Sequence, residues 1–131
     1  MTHYGTTEQL NYLYNSVNCG IFPSRGEGFN LPALEMAKIG KSVITTTYSG
    51  HAEFSDKRLQ CKVSGFCPLD NSIYDEGLFG EPDIENLKKL MRQVYENYEK
   101  ELILAEEHSK TLSKFTWDNV GEKMDKILKE I

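Results

Sequence analysis

Apolar positions at Leu10, Leu13, Tyr14 and Val17 recur at three- and four-residue spacing, which predicts an amphipathic helix packed on a sheet. Thr6 or Thr7 can cap it, and Gln9 stands three residues after Thr6 as in a capping box. The period then changes. Cys19-Gly20-Ile21-Phe22 is a short apolar run that reads as a buried strand. Leu31 to Ile39 reads as a helix closed by Gly40, a residue suited to the position just past a helix end. Ser42-Val43-Ile44-Thr45-Thr46-Thr47 is continuous and rich in β-branched residues, as expected of an interior parallel strand. Strand, helix and strand in that order form a right-handed crossover unit.

Further along, Tyr48-Ser49-Gly50 reads as a turn, His51 to Phe54 as a short helical turn, and Cys61-Lys62-Val63 as a weaker third strand. Residues 68–80 read as loop, with Asp70-Asn71, Asp75-Glu76-Gly77 and Gly80 as breakers. Asp83 then caps a helix of roughly 26 residues, with Ile84, Leu87, Met91, Val94, Tyr98, Leu102 and Ala105 on one stripe and Lys and Glu opposite. A last helix after Thr116 carries Val120, Met124, Ile127 and Ile131, with Phe115 and Trp117 read as its anchors against the body. The expected fold class is α/β: half of a doubly wound Rossmann-like domain, with about three parallel strands, flanking helices and a long C-terminal helical pair. Residues 1–131 read as a single domain, 115–131 being its terminal helix.

The segment joining the first strand to the second helix, Pro23-Ser24-Arg25-Gly26-Glu27-Gly28-Phe29-Asn30-Leu31-Pro32, carries the candidate chemistry. Gly26 and Gly28 allow positive φ or close approach to a ligand, and Pro32 suits the start of a helix. The N–H groups of Phe29, Asn30 and Leu31 are then placed to meet a phosphate or sugar oxygen at the positive end of the helix dipole. Glu27 and Glu35 bracket that position. Each residue also has a plain reading: Glu27 as a solvated loop carboxylate, Glu35 as an exposed glutamate near a helix start, Gly28 as a turn glycine, Phe29 as core, Arg25 as a surface charge, and Ser49-Gly50 as an ordinary turn.

Bulk properties narrow the classes. Fifteen basic against twenty acidic side chains leave a net charge of −5, which repels polyanions and argues against a nucleic-acid partner. With 39% hydrophobic and 27% charged residues the chain is globular in composition. No run of about 18 apolar residues is present, and Met1-Thr2-His3-Tyr4 does not open a signal peptide, so a cytoplasmic protein is expected. Peripheral membrane contact stays open. Cys19, Cys61 and Cys67 form no C-x-x-C pair and read as reduced thiols. Together with the scattered His3, His51 and His108 they give no metal site.

Glu27 and Glu35, eight apart around Gly28-Phe29-Asn30-Leu31-Pro32, resemble the E-x7-E signature of retaining, nucleotide-sugar-dependent glycosyltransferases with two facing Rossmann-like domains. These are the glycosyl transferases of group 1. Pro23-Ser24 and Gly40-Lys41-Ser42-Val43-Ile44 match the flanks, apart from Ser42, where that family usually has proline. Tyr48-Ser49-Gly50 with Glu53, Glu81-Pro82-Asp83-Ile84, and Phe115-Thr116-Trp117 follow in the family's order. The resemblance implies that Glu35 holds both ribose hydroxyls of the nucleotide, and that the backbone of Gly28, Phe29, Asn30 and Leu31 meets sugar and diphosphate. It also implies that Glu27 is the catalytic-site carboxylate facing the donor sugar. Arg25 is a candidate for phosphate contact, and Ser49 and Gly50 for the nucleotide base or the cleft. The donor substrate is a nucleotide diphosphate sugar, and no cofactor is implied.

By the same resemblance the chain corresponds to strands four to six of the donor-binding domain, the first three strands and the acceptor domain lying outside it. The arginine and lysine pair that faces the diphosphate in the family belongs to that outside portion, so the isolated polypeptide is expected to be inactive. The unpaired first strand calls for a homodimer, a partner chain, or cover by the first helix. The rival reading is a non-catalytic nucleotide-binding module or remnant that needs a partner chain.

Overall fold

The computed structural model describes residues 5–68 and 77–130. Expectations that fall on residues 1–4, 69–76 and 131, among them Asp70-Asn71, Asp75-Glu76 and Ile131, lie outside the described residues. The N-terminal helix α1 spans Thr7–Ser16, and its cap is the expected box. Thr6 Oγ1 accepts from Gln9 N at 3.2 Å, while Gln9 Oε1 accepts from Thr6 N at 3.3 Å and also from Gly5 N at 2.9 Å. No residue of α1 is buried. Tyr14 and Val17 pack at the margin of a core cluster that includes Leu34 and Ala37 of the next helix and Val43 of the sheet.

The sheet is built as the period changes predict. Strand β1 (Cys19–Phe22), helix α2 (Leu31–Lys38) and strand β2 (Ser42–Thr46) form a parallel crossover unit, with Cys19 opposite Ser42 and Phe22 opposite Thr45. Helix α2 ends in a Schellman arrangement. Gly40 has φ +80°, its N–H reaches Ala37 O at 3.1 Å, and Lys41 N reaches Met36 O at 3.1 Å. Strand β3 is only Gln60–Cys61, paired parallel with Thr45–Thr46, and the sheet order is β1-β2-β3. Strand β2 is buried along its whole length because both its faces are covered. Val43 joins Ala33, Leu34 and Phe54 on one side; Ile44 joins Leu59, Cys61, Leu90 and Val94 on the other. This is an α/β half domain of Rossmann-like type.

Four expectations are corrected. The third strand was read as Cys61–Val63, but Val63 opens a separate strand, β4 (Val63–Pro68), antiparallel to β5 (Leu78–Pro82), so part of the expected loop is a ribbon. The long helix is bent at Asn97 (φ −119°, ψ 33°) into α3 (Ile84–Glu96) and α4 (Tyr98–Thr111). The Asn97 side chain donates to Gln93 O at 3.0 Å beside its own backbone N–H, a local competitor for the helical ladder. The face that α3 buries is Leu90 and Val94, flanked by Leu87, whereas Met91 and Ile84 are exposed. Finally, α5 (Trp117–Lys129), capped by Thr116, buries none of its residues, and Trp117 is 83% exposed. Of the two expected anchors Phe115 alone packs on described residues, with ring centroids 5.9 Å from Phe29 and 6.3 Å from Phe54.

Glu101 is the buried charge of the body. It faces Arg58 Nη1 at 2.9 Å and Gln93 Nε2 at 2.8 Å, tying α4 to α3 and to the turn before β3. Among the described residues only β2 pairs with β1, and Ile21 is exposed along that edge. No helix of the described residues is long and apolar enough to cross a membrane.

Candidate functional site

The Pro23–Asn30 loop leaves the C-terminal end of β1, where the neighbouring end of β2 meets it, the usual place for a ligand in an open parallel sheet. Thr46 at the end of β2 ties down the start of the loop, its hydroxyl donating to Ser24 O at 2.8 Å. That direction assigns the tautomer of His51, which is fully buried. With its own hydrogen committed to Ser24, Thr46 Oγ1 accepts from His51 Nε2 at 2.8 Å, and Thr46 O lies 3.1 Å from the same nitrogen. Nδ1 is then a lone pair with no partner among the described residues. Burial pushes the imidazole below its ordinary pKa, against weaker upward pulls from the Thr46 backbone and the Glu27 charge. His51 is therefore a neutral strut under the loop.

The centre of the loop is gripped by the next turn. Ser49 Oγ accepts from Glu27 N at 2.6 Å and also hydrogen-bonds Glu27 O, which accepts Gly50 N at 3.0 Å. Gly50 is close enough that a Cβ there would stand 1.8 Å from Gly28 O. Of the two uses expected of Gly26 and Gly28, positive φ or close approach to a ligand, neither residue adopts the first. The left-handed positions are Asn30 (φ 68°, ψ 68°) and Ser49 (φ 79°, ψ −173°). Asn30 suits this region and uses its Oδ1 to cap Ala33 N at 3.2 Å. Ser49 occupies a region that is nearly glycine-only and costs of order 1–3 kcal/mol.

Phe29, Asn30 and Leu31 present backbone N–H groups with no acceptor among the described residues, at the start of α2. They border an open cleft of about 540 Å³ that Glu27, Ser24, Phe22 and Pro32 also line. Around Gly28 the space where a Cβ would stand is open, so a ligand can reach its main chain. The Phe29 ring turns inward onto Phe54, centroids 5.3 Å apart. Glu35 lies on the other side of the α2 start. It lines a second hollow, of about 450 Å³, between α1 and α2 with Leu10, Asn11, Tyr14 and Ile39. Tyr14 donates to Glu35 Oε2 at 3.0 Å, and burial, reinforced by that carboxylate, pushes the Tyr14 hydroxyl up to about 12. The structure thus gathers Ser49, Gly50 and the 28–31 backbone around Glu27 and sets Glu35 apart from them.

Arg25 is turned away from the cleft. Its guanidinium pairs with Glu81, donates to Cys67 Sγ at 2.8 Å and lies 4.7 Å from the Phe79 ring centroid. The β4–β5 ribbon is fastened to the loop here, Gly80 N donating to Arg25 O at 2.8 Å. Tyr48 lies beside Gly80, packs edge-on against Phe66 and donates to Leu78 O at 3.0 Å.

The family model described as glycosyl transferases group 1 matches residues 1–97, close to three quarters of the chain and all of the loop, sheet and ribbon just described. The chain belongs to that family. A comparison with curated proteins finds no match. The match stops where this glycosyltransferase chain bends at Asn97, so the similarity expected at Phe115-Thr116-Trp117 falls beyond it. Tyr14, bonded to Glu35, and His51, buried under the loop, are the residues of this candidate site that sequence reading did not single out. Tyr14 hid among the apolar positions of α1, and nothing local distinguishes His51 from a turn residue, since its burial is purely tertiary.

Proposed function

We propose that this chain binds a nucleotide diphosphate sugar at the Pro23–Leu31 loop and serves as the donor-binding part of a retaining glycosyltransferase. The observation that carries the reading is the run of unpartnered N–H groups at Phe29–Leu31, bordering a cleft that also holds Glu27 at the C-terminal edge of a parallel sheet. Such donors suit the sugar hydroxyls and the diphosphate, and negative charge gathering on the leaving diphosphate is stabilised by the start of α2. Glu27, half-buried with its main chain held on both sides, is suited to orient the donor sugar. Glu35 is exposed, and Tyr14 engages one oxygen, leaving Oε1 and a second lone pair on Oε2 for ribose hydroxyls.

Charge-assisted hydrogen bonds of this kind contribute about 1.5–3 kcal/mol each. Glu35→Ala is therefore expected to weaken UDP or GDP binding at least tenfold by calorimetry. Unchanged affinity in a folded variant would remove Glu35 from the ribose role.

One observation favours a second form of this reading, a donor-binding module that works only with a partner chain. Arg25 is the sole cation of the loop, and it is spent on Glu81 and Cys67. The 131-residue polypeptide alone is then expected to bind donor without transferring sugar, turnover appearing when a chain that supplies basic groups to the diphosphate is added.

A further inference from the structure

We propose that Ser49 is a positioning residue for Glu27, holding that residue's main chain from both sides through a single hydroxyl. The inference rests on the reading of Glu27 as the carboxylate that faces the donor sugar.

Three observations meet at this residue. A hydroxyl can donate and accept together, and Ser49 Oγ does both toward one residue, taking the Glu27 N–H at 2.6 Å and reaching the Glu27 carbonyl. Backbone groups satisfied from both sides leave the Glu27 Cα little freedom to move. Second, Ser49 holds φ 79° and ψ −173°, where a glycine would be at ease and a serine is not. Alanine at this place would keep the unfavourable backbone and lose the grip, and glycine would lose the grip and relax the backbone. The hydroxyl is therefore the only feature of Ser49 that justifies a side chain here. Third, the residues on either side do not let Ser49 drift. Tyr48 is packed against Phe66 and bonded to Leu78 O, and Gly50 sits against Gly28 O with no room for a methyl group.

The consequence is specific. With Glu27 fixed at its main chain, its carboxylate is presented to the cleft from one origin, its Oε1 accepting Gly28 N at 3.2 Å. Loss of the Ser49 hydroxyl should blur the presentation to the sugar and spare the diphosphate contacts, which belong to the start of α2.

The test uses the full 131-residue chain as wild type, Ser49→Gly and Ser49→Ala. Calorimetry with UDP, GDP, UDP-glucose and GDP-mannose gives, for whichever nucleotide binds, the ratio of nucleotide-sugar to nucleoside-diphosphate affinity. That ratio is expected to fall at least fivefold in both variants while the nucleoside diphosphate alone stays within twofold of wild type. Affinities that fall together would show a general structural effect and overturn the inference, as would an unchanged ratio. Amide exchange reads the grip itself: the Glu27 N–H is expected to exchange at least tenfold faster in both variants, with Ile44 unchanged. Equal rates at Glu27 overturn the inference whether or not a donor binds. Wild-type protein that binds none of the four probes, with Glu27 exchange still accelerated in the variants, overturns the donor-site reading and with it the role of Ser49 toward a sugar.

Discussion

Replacing Gly50 by alanine puts a methyl group where the structure has a carbonyl oxygen. The new Cβ would stand 1.8 Å from Gly28 O, 2.6 Å from Gly28 C and 3.2 Å from Glu27 O, all of them backbone atoms with no rotamer to escape into. Ordinary contact begins at 3.4 Å, so the two segments must part by 1.6 Å, the difference between 3.4 and 1.8. That stretches the 3.0 Å bond from Gly50 N to Glu27 O past any useful length. A lost net hydrogen bond costs about 0.5–1.5 kcal/mol, and overpacking in a tight site typically costs about 1–3 kcal/mol. The expected destabilisation is about 2–4 kcal/mol. Unfolding entropy of about 2.1 cal/mol/K per residue gives about 0.28 kcal/mol/K for a chain of 131 residues, so Tm should fall by about 7–15 °C. Urea unfolding and differential scanning calorimetry both read this. Gly28→Ala is the control, because the space beside Gly28 is open and its φ is not positive; a change below about 0.5 kcal/mol is expected there. Should Gly50→Ala unfold with the wild-type midpoint, the close approach of the two turns is wrong.

Three further outcomes follow from the packing. Arg58→Ala should cost about 1–3 kcal/mol in urea unfolding, since it strands the buried Glu101 carboxylate with Gln93 alone, whereas Glu101→Gln, which keeps a polar group facing Gln93, should cost less; the opposite order would refute the asymmetry. The Tyr14 hydroxyl, at about 12 when folded against an ordinary 10, stabilises the fold fully below pH 10 and loses that contribution as pH rises from 10 to 12. Tyr14→Phe should accordingly flatten the alkaline stability profile in that window, and an identical slope would count against the burial of the Tyr14 hydroxyl beside Glu35. Phe115→Ala should cost about 2–4 kcal/mol and Trp117→Ala less than about 0.5, measured by thermal unfolding; similar losses would contradict the exposed placement of Trp117.

The crossover unit was legible because each of its elements carries its own period and its own stop. Cys19–Phe22 and Ser42–Thr46 are short apolar or β-branched runs, and Gly40 closes the helix between them. The β4–β5 ribbon was not, because Val63-Ser64-Gly65-Phe66-Cys67-Pro68 is mostly exposed and interrupted by Gly65 and Pro68, so it shows neither alternation nor a buried run. On α3 the stripe held at Leu87 and Val94 but not between them: Met91 and Leu90 both fit a helical spacing, and only contact with Ile44, Leu59 and Cys61 selects Leu90. Trp117 was misplaced because size and aromaticity argue for burial, whereas among the described residues it stands 83% exposed. At the candidate site, the loop and the spacing of Glu27 and Glu35 were legible, but not that the two carboxylates line different hollows. Sequence could not show that Asn30 and Ser49 take the left-handed conformations in place of the glycines, because tertiary hydrogen bonds make that choice.

Helix α5 draws nothing from the body beyond its first turn. Its 13 residues bury no side chain, and among the described residues what supports them is the Thr116 cap, a bond from Asn119 Nδ2 to Lys114 O at 2.9 Å and an exposed Asp125–Lys129 pair. In water a segment of this length sits near the helix–coil midpoint, because nucleation is unfavourable and each added residue repays little. Such a helix melts gradually from its ends as temperature rises, without sharing the cooperative unfolding of the sheet. Circular dichroism at 222 nm should therefore slope well before the main transition, and the slope should vanish when the chain is cut after Thr116.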